Sequence, residues 1–253
     1  MYRYILERIT DEGGLVFVVI DPPDYTEKKA RLVARISERA GVAAFAVGGS
    51  LGAQGKVLDD TVTVLKEEAD LPVILFPGNI ATLTPLADAV YYMSLLNSND
   101  PYYISGAQIA ASFPIRRMGL EVIPTSYILI EPGRAVGWVG RAQLIPRDVP
   151  YLAAATALAG QMMGHKVVII ESGSGASSPA PPEMVKAVAS VIDIPLVIAG
   201  GVRNPEYAYQ EILAGADIIH VGTAVDRVGA KEAERLLRKY VSEVRRAAKD
   251  RNA

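Results

Sequence analysis

The chain has 253 residues, half of them hydrophobic, which is enough for one large buried core. Its formal charge of -2 and its pI of about 5.8 provide no basic field, so we expect no nucleic-acid partner. The absence of cysteine excludes disulfides and thiolate metal sites and suits a reducing compartment.

The first 14 residues form a charged, amphipathic segment without the apolar stretch or cleavage site of a signal peptide. No apolar run approaches the ~20 residues that span a bilayer. We therefore expect a soluble, cytoplasmic protein.

Eight short apolar segments, each followed by glycine, proline or polar residues, predict eight strands. They lie at 15–21, 43–50, 72–79, 88–97, 126–133, 166–173, 195–201 and 217–223. Their near-continuous apolar character is typical of parallel strands that are buried on both faces. Helical patterns separate most of them, at 26–41, 59–70, 148–164, 204–216 and 229–251.

The stretch after the third strand, 80–87, is short and is interrupted by Pro85, so it predicts no full helix. Strands that alternate with helices indicate a parallel α/β sheet, and eight of them favour closure. The sequence thus predicts one (β/α)8 TIM-type barrel over residues 1–253. We expect it to be irregular around the third helix and open on that side.

Three glycine-rich turns follow the last three predicted strands. The first, at 172–175, comes directly after Glu171; the others contain Gly200 with Gly201, and Gly222. Backbone N–H groups of such turns form a cradle for a phosphate. Barrels of this type place that cradle at the loops after strands 7 and 8, so we expect an anionic ligand here.

Two carboxylates end otherwise apolar strands, where an ionised group costs free energy unless it is paired. Asp21, with Ser50 on the next strand, offers oxygen ligands suited to Mg²⁺. Asp21 could instead cap the turn that follows it. Glu171 could be a general base beside the cradle, or a structural carboxylate bonded to the amides of the turn.

Neither histidine is expected at the strand ends, because His165 precedes strand 6 and His220 lies inside strand 8. Acid–base or zinc chemistry based on histidine is therefore poorly supported. No lysine ends a strand, which argues against a Schiff-base aldolase. The tyrosine-bearing stretch 97–108 could wall a long apolar substrate, or could satisfy its own hydrogen bonds.

The ordered set of turns resembles the geranylgeranylglyceryl phosphate synthases over essentially the full length, in the larger group that forms higher oligomers. The segments that carry the resemblance are DPPD at 21–24, GGS at 48–50, NDPYYISGAQ at 99–108, IIESGSGA at 169–176, IAGGVRNPE at 198–206 and HVGTAV at 220–225. The family commonly has tyrosine two residues before the glutamate, where this chain has Ile169.

The resemblance implies Mg²⁺-dependent prenyl transfer from geranylgeranyl diphosphate to sn-glycerol 1-phosphate. It implies Glu171 as the base and Asp21 and Ser50 as the metal ligands. The implied positions for glycerol 1-phosphate are Ile169, Ile170, Glu171, Ser172, Gly173, Ser174, Gly175, Gly200, Gly201, Gly222 and Thr223. A homo-oligomer, dimer or hexamer, and transient membrane contact for the prenyl substrate are also implied.

Four other functions compete with this one. A relative that uses a longer prenyl donor, such as a heptaprenylglyceryl phosphate synthase, would share the chemistry. A phosphosugar isomerase or a flavin-phosphate barrel would use the same cradle. A non-catalytic phosphate sensor would leave Asp21 and Glu171 unexplained.

Overall fold

The computed structural model describes residues 1–222 and 229–251, and its eight parallel strands close into a barrel in the order of the sequence. The strands are β1 (Leu15–Ile20), β2 (Ala44–Val47), β3 (Val73–Leu75), β4 (Ala89–Leu95), β5 (Glu121–Leu129), β6 (Val167–Glu171), β7 (Leu196–Ala199) and β8 (Ile218–Val221). The predicted (β/α)8 fold is confirmed.

The helices surround the barrel. They are α1 (Tyr2–Glu12), α2 (Glu27–Ala40), α3 (Lys56–Glu68), α4 (Ala107–Met118), α5 (Arg134–Val139), α6 (Pro150–Met162), α7 (Pro182–Ala189), α8 (Pro205–Ala214) and α9 (Ala230–Arg251). A π-helical turn, Tyr102–Gly106, leads into α4, and a 3₁₀ turn, Pro22–Asp24, follows β1. Residues 76–88, all described, contain no helix, so the expected irregularity is confirmed.

Local sequence chemistry explains several helix ends. The Thr26 hydroxyl accepts a hydrogen bond from the Lys29 amide at the start of α2, and Gly41 ends that helix in the left-handed region. At α8, the Asn204 side chain accepts from the Tyr207 amide and Pro205 is the first helical residue. These ends agree with the sequence.

Several elements differ from the predictions. Helices α1, α4, α5 and α7 were not predicted, and β5 begins at Glu121 instead of at residue 126. Proline accounts for three of these differences: Pro114 lies inside α4, Pro124 lies inside β5, and α7 starts at Pro182. After β5, Ile130 forms an isolated bridge with Ile145, and residues 131–132 form a turn instead of the end of a strand.

The apolar side chains form two layers, separated by the barrel wall. Inside the barrel lie Phe17, Tyr91 and Ile169, whereas Ile170, on the opposite face of β6, packs in the layer between sheet and helices. Each fully buried large side chain contributes about 1.5–3 kcal/mol. No helix in the described part of the chain is long and apolar enough to cross a bilayer.

Candidate functional site

A cavity of about 480 Å³ opens at the carboxyl ends of the strands. One part is polar and is lined by the glycine turns after β6, β7 and β8, together with Asp21 and Glu171. The other part is apolar and runs under α4 and along the segment without a helix. Its lining includes Ile80, Leu83, Met93, Ala107, Ala111 and Ile115. The missing helix therefore leaves room for an apolar ligand next to a polar end.

Glu171 is the last residue of β6 and is buried, with only 6% of its surface exposed. Its Oε1 accepts a hydrogen bond from the Gly173 amide at 2.6 Å. Burial raises the pKa of Glu171 to about 7, and this hydrogen bond lowers it in part. The carboxyl group is thus anchored by the turn, as one prediction held, and also has the pKa of a base for neutral pH.

The glycines of the turns are needed for close packing. Gly200 has φ of 73°, and a Cβ there would lie 2.2 Å from Oε1 of Glu171. A Cβ on Gly201, with φ of 77°, would lie 2.2 Å from the carbonyl oxygen of Ser178. At Gly175, with φ of 74°, the corresponding space is open. The turns therefore pack around Glu171 while one side of the cradle stays clear for a ligand.

The structure brings most of the predicted cradle to the cavity, but not all of it. The predicted residues that line the cavity are Asp21, Ser50, Glu171, Ser174, Gly175, Gly200, Gly201 and Gly222. Ile169 is buried inside the barrel, while Ile170 faces the helices, so its side chain cannot reach the cavity. Ser172 is fully buried, and Thr223 lies outside the described residues.

Asp21 and Ser50 follow neighbouring strands, β1 and β2, and both line the cavity. The turn after Asp21 is closed by the backbone, with the Asp24 amide donating to the Asp21 carbonyl, and the Asp21 side chain does not cap it. A Cβ on Gly49 would lie 2.3 Å from Oδ1 of Asp21. The loop after β2 thus packs directly on the carboxylate.

Asp21 and Ser50 are the candidate ligands for Mg²⁺. Within the described ranges, no group of three or more His, Asp or Glu side chains is arranged to hold a metal. A carboxylate and a hydroxyl are hard oxygen ligands, and Mg²⁺ is often held by one or two carboxylates plus substrate phosphates. Asp21 and Ser50 therefore fit a magnesium ion only where phosphate oxygens of a ligand complete its coordination.

Sequence reasoning missed an aromatic group at the cavity floor. His220 is inside β8 as predicted, yet it points inward and lines the cavity with Tyr91, Phe76 and Tyr127. Its ring stacks on Phe17 with the centroids 5.7 Å apart. Burial lowers the pKa of His220 to about 3, so the imidazole is neutral. The alternation of side chains along a strand could have indicated this inward position.

Tyr127 lies on β5 in register with Ile169. Burial, and the charge of Glu171, raise its pKa well above the usual value for tyrosine. The phenol is therefore protonated, and it lies close enough to Glu171 for the carboxylate charge to affect its pKa. Ile169 has no hydroxyl group, but Tyr127 provides one on the neighbouring strand.

The stretch 97–108 lies at the cavity and also forms hydrogen bonds within itself. Tyr102 and Tyr103 line the cavity. The Ser98 hydroxyl accepts a hydrogen bond from the Asp100 amide at 3.0 Å, and the Asp100 carboxylate accepts one from the Tyr102 amide at 2.9 Å. The segment satisfies part of its own polar groups while it presents tyrosine rings to the cavity.

A closed (β/α)8 barrel with glycine turns, a buried carboxyl group and an apolar cavity at the strand ends is the architecture of a barrel enzyme. Residues 8–242 match the PcrB family. A geranylgeranylglyceryl phosphate synthase of Thermococcus gammatolerans is 50% identical over 233 residues, 92% of each chain. One of Pyrococcus abyssi is 49% identical over 247 residues, 97% of this chain and 96% of the relative.

The solved structures agree. The (S)-3-O-geranylgeranylglyceryl phosphate synthase of Thermoplasma acidophilum, in complex with its substrate sn-glycerol-1-phosphate, has a TM-score of 0.93 at 35% identity. The match covers 97% of this chain and 98% of that one. The chain therefore belongs to the PcrB family and is a prenyltransferase of the geranylgeranylglyceryl phosphate synthase type.

Proposed function

We propose that the protein transfers the geranylgeranyl group of geranylgeranyl diphosphate to the C3 hydroxyl of sn-glycerol 1-phosphate, forming the first ether bond of archaeal-type lipids. The observation that carries the proposal is the position of Glu171, a buried carboxyl between a glycine cradle and an apolar cavity. The relatives' names and the glycerol 1-phosphate in the Thermoplasma enzyme support it.

The reaction follows from the placement of these groups. Backbone amides of the turns at Gly175, Gly200, Gly201 and Gly222 bind the phosphate and fix the glycerol hydroxyl near Glu171. The Glu171 carboxylate accepts the proton of the glycerol hydroxyl. The hydroxyl oxygen then forms a bond to the allylic carbon of the prenyl donor, while the bond from that carbon to the diphosphate breaks. The apolar extension keeps water from the cation-like carbon.

Asp21 and Ser50 would hold Mg²⁺ together with diphosphate oxygens. When bound, this ion would neutralise part of the negative charge on the leaving diphosphate. Asp21 and Ser50 lie at the ends of β1 and β2, so the diphosphate of the prenyl donor would lie at that side of the cavity. The glycerol phosphate then occupies the part of the cavity at β6 to β8, next to it around the barrel.

A homo-oligomer, dimer or hexamer, and transient contact with a membrane that delivers the prenyl donor belong to the same proposal. Large exposed apolar side chains support an association surface: Trp138 is 84% exposed, and Ile109 and Phe113 on α4 are 72% and 71% exposed. Sedimentation velocity checks the first point, and sedimentation with lipid vesicles checks the second.

The test is direct. Purified protein is incubated with Mg²⁺, geranylgeranyl diphosphate and either sn-glycerol 1-phosphate or sn-glycerol 3-phosphate, with and without EDTA, and the ether product is measured by mass. We expect product from the 1-phosphate alone, lost with EDTA. A parallel arm uses heptaprenyl diphosphate, and faster turnover with that donor would favour the longer-chain alternative. No product with any donor would refute the proposal.

A further inference from the structure

The wall of the cavity contains a cationic side chain, Arg203, in the loop between β7 and α8. Its Nε–H donates to the carbonyl oxygen of Ala176 at 2.8 Å, and an Nη2–H donates to the carbonyl oxygen of Gly175, also at 2.8 Å. Both acceptors belong to the glycine-rich turn after β6. Arg203 thus connects two of the loops that form the cradle.

The charge balance of the cavity makes this side chain important. Among the described residues that line the cavity, Arg203 is the only lysine or arginine, whereas Asp21, Asp24 and Glu171 contribute three carboxyl groups. A phosphate monoester bound in the cradle would add more negative charge. A cation at the cradle offsets part of this repulsion without the need for a second metal ion.

The geometry leaves Arg203 able to bind a ligand. A guanidinium group has five N–H donors, and the two backbone carbonyls use two of them. Gly175, whose carbonyl is bound, has φ of 74° and open space where a side chain would stand. The guanidinium therefore holds the peptide of Gly175 next to the open part of the cradle, and it has donors left for an anion.

We propose that Arg203 binds the phosphate group of the glycerol phosphate and positions the Gly175 peptide that binds the same group. This inference rests on the proposed function for the identity of the ligand, a phosphate monoester. Arg203 would then have two roles: its positive charge would contact the phosphate, and its hydrogen bonds would align the backbone amides of the cradle.

Arg147 provides a matched comparison, because it holds the same loop from the other side. Its Nη2–H donates to Ser178 Oγ at 3.0 Å and to the Pro179 carbonyl, and its Nη1–H donates to the Glu131 carbonyl at 3.1 Å. Arg147 does not line the cavity. Its loss would loosen the loop without removing a charge from the phosphate site.

The experiment compares the wild type with Arg203→Gln, Arg203→Lys and Arg147→Gln. For Arg203→Gln we expect KM for sn-glycerol 1-phosphate to rise about tenfold or more, with KM for geranylgeranyl diphosphate within about threefold of the wild type. Arg203→Lys should recover part of the affinity, since it keeps the charge but cannot span both carbonyls. Arg147→Gln should lower the melting temperature without this separation of the two KM values.

A second measurement is independent of turnover: calorimetric titration with inorganic phosphate at several salt concentrations. Removing a charge contact should weaken phosphate binding and make the affinity less dependent on salt in Arg203→Gln, but not in Arg147→Gln. If both variants change both KM values equally and keep the salt dependence of the wild type, Arg203 is only a structural link. If the wild type binds phosphate through Arg203 but makes no ether, the proposed function fails and the inference stands.

Discussion

The substitution Glu171→Gln separates the two consequences of burying a carboxyl group. Folding moves the pKa of this group from 4.5 to about 7 because burial disfavours the ionised form. At about 1.4 kcal/mol for each pKa unit, the ionised carboxylate lowers the stability of the folded protein by about 3 kcal/mol at pH 8. Glutamine carries no charge, and its carbonyl can still accept from the Gly173 amide.

The sign of the pH dependence follows from the raised pKa. Between about pH 4.5 and pH 7 the folded protein holds a proton that the unfolded chain has released, so this group makes stability fall as the pH rises through that interval. We therefore expect Glu171→Gln to match the wild type below pH 4.5. Above pH 7 it should be more stable by up to about 3 kcal/mol, while ether formation is lost.

Denaturation in guanidinium chloride from pH 4 to pH 9, run in parallel with turnover, measures both effects. The wild-type kcat/KM for glycerol phosphate should rise with pH and level off above about pH 7, as Glu171 ionises. Glu211 is the matched control: it is 1% exposed, burial raises its pKa to about 8, and it does not line the cavity. Glu211→Gln should stabilise at alkaline pH and keep turnover.

A Glu171→Gln variant whose stability relative to the wild type does not change with pH would refute the raised pKa of the carboxyl group. A variant that retained more than a tenth of the wild-type turnover would refute the role of Glu171 as the base. The first result would mean that the carboxyl is solvated in the free enzyme. The second would mean that another group accepts the proton.

Three further predictions concern the cavity. Asp21→Asn should raise the Mg²⁺ concentration for half-maximal turnover about tenfold or more, at an unchanged melting temperature; an unaltered Mg²⁺ titration would contradict the assigned metal ligand. In Gly200→Ala, the new Cβ would lie 2.2 Å from Oε1 of Glu171, at a φ of 73°. This substitution should lower the free energy of unfolding by about 2 kcal/mol or more, measured by denaturation, and should abolish turnover in the product assay. His220→Phe should leave the shape of the pH–rate profile unchanged, because the imidazole is neutral above about pH 3; loss of the rise toward pH 7 would assign the titration to His220.

Much of the fold could be predicted because its signals are local. Thr26 and Asn204 cap their helices as the sequence indicates, and apolar strands that end in glycine turns predict a parallel barrel. Proline at helix starts and inside β5 concealed α7 and the first residues of β5. A proline is read as a break in a pattern, yet tertiary packing tolerates it at the first turn of a helix or inside a strand.

The site residues that directly follow a strand could be predicted from the sequence. The residues that reach the site through contacts between loops could not. Glu171 and the glycines could be placed from their positions after β6 and β7. The bonds of Arg203 to Gly175 and Ala176 join residues 27 and 28 positions apart, and no local pattern marks them. The inward direction of the His220 side chain was not predicted for another reason. A position within a strand does not show which side of the sheet the residue faces, whereas the alternation of side chains along β8 does.

The arrangement of charge explains why a carboxyl with a raised pKa suits this cavity. A carboxylate with an ordinary pKa would stay ionised beside a phosphate and a diphosphate, and its repulsion would weaken the binding of both. With a pKa of about 7, Glu171 can be protonated or ionised at little cost near neutral pH. A bound anion raises that pKa further, so Glu171 would keep its proton to a higher pH when the glycerol phosphate is bound than in the free enzyme. The proposed contact of Arg203 with the phosphate would offset part of the negative charge that causes this rise.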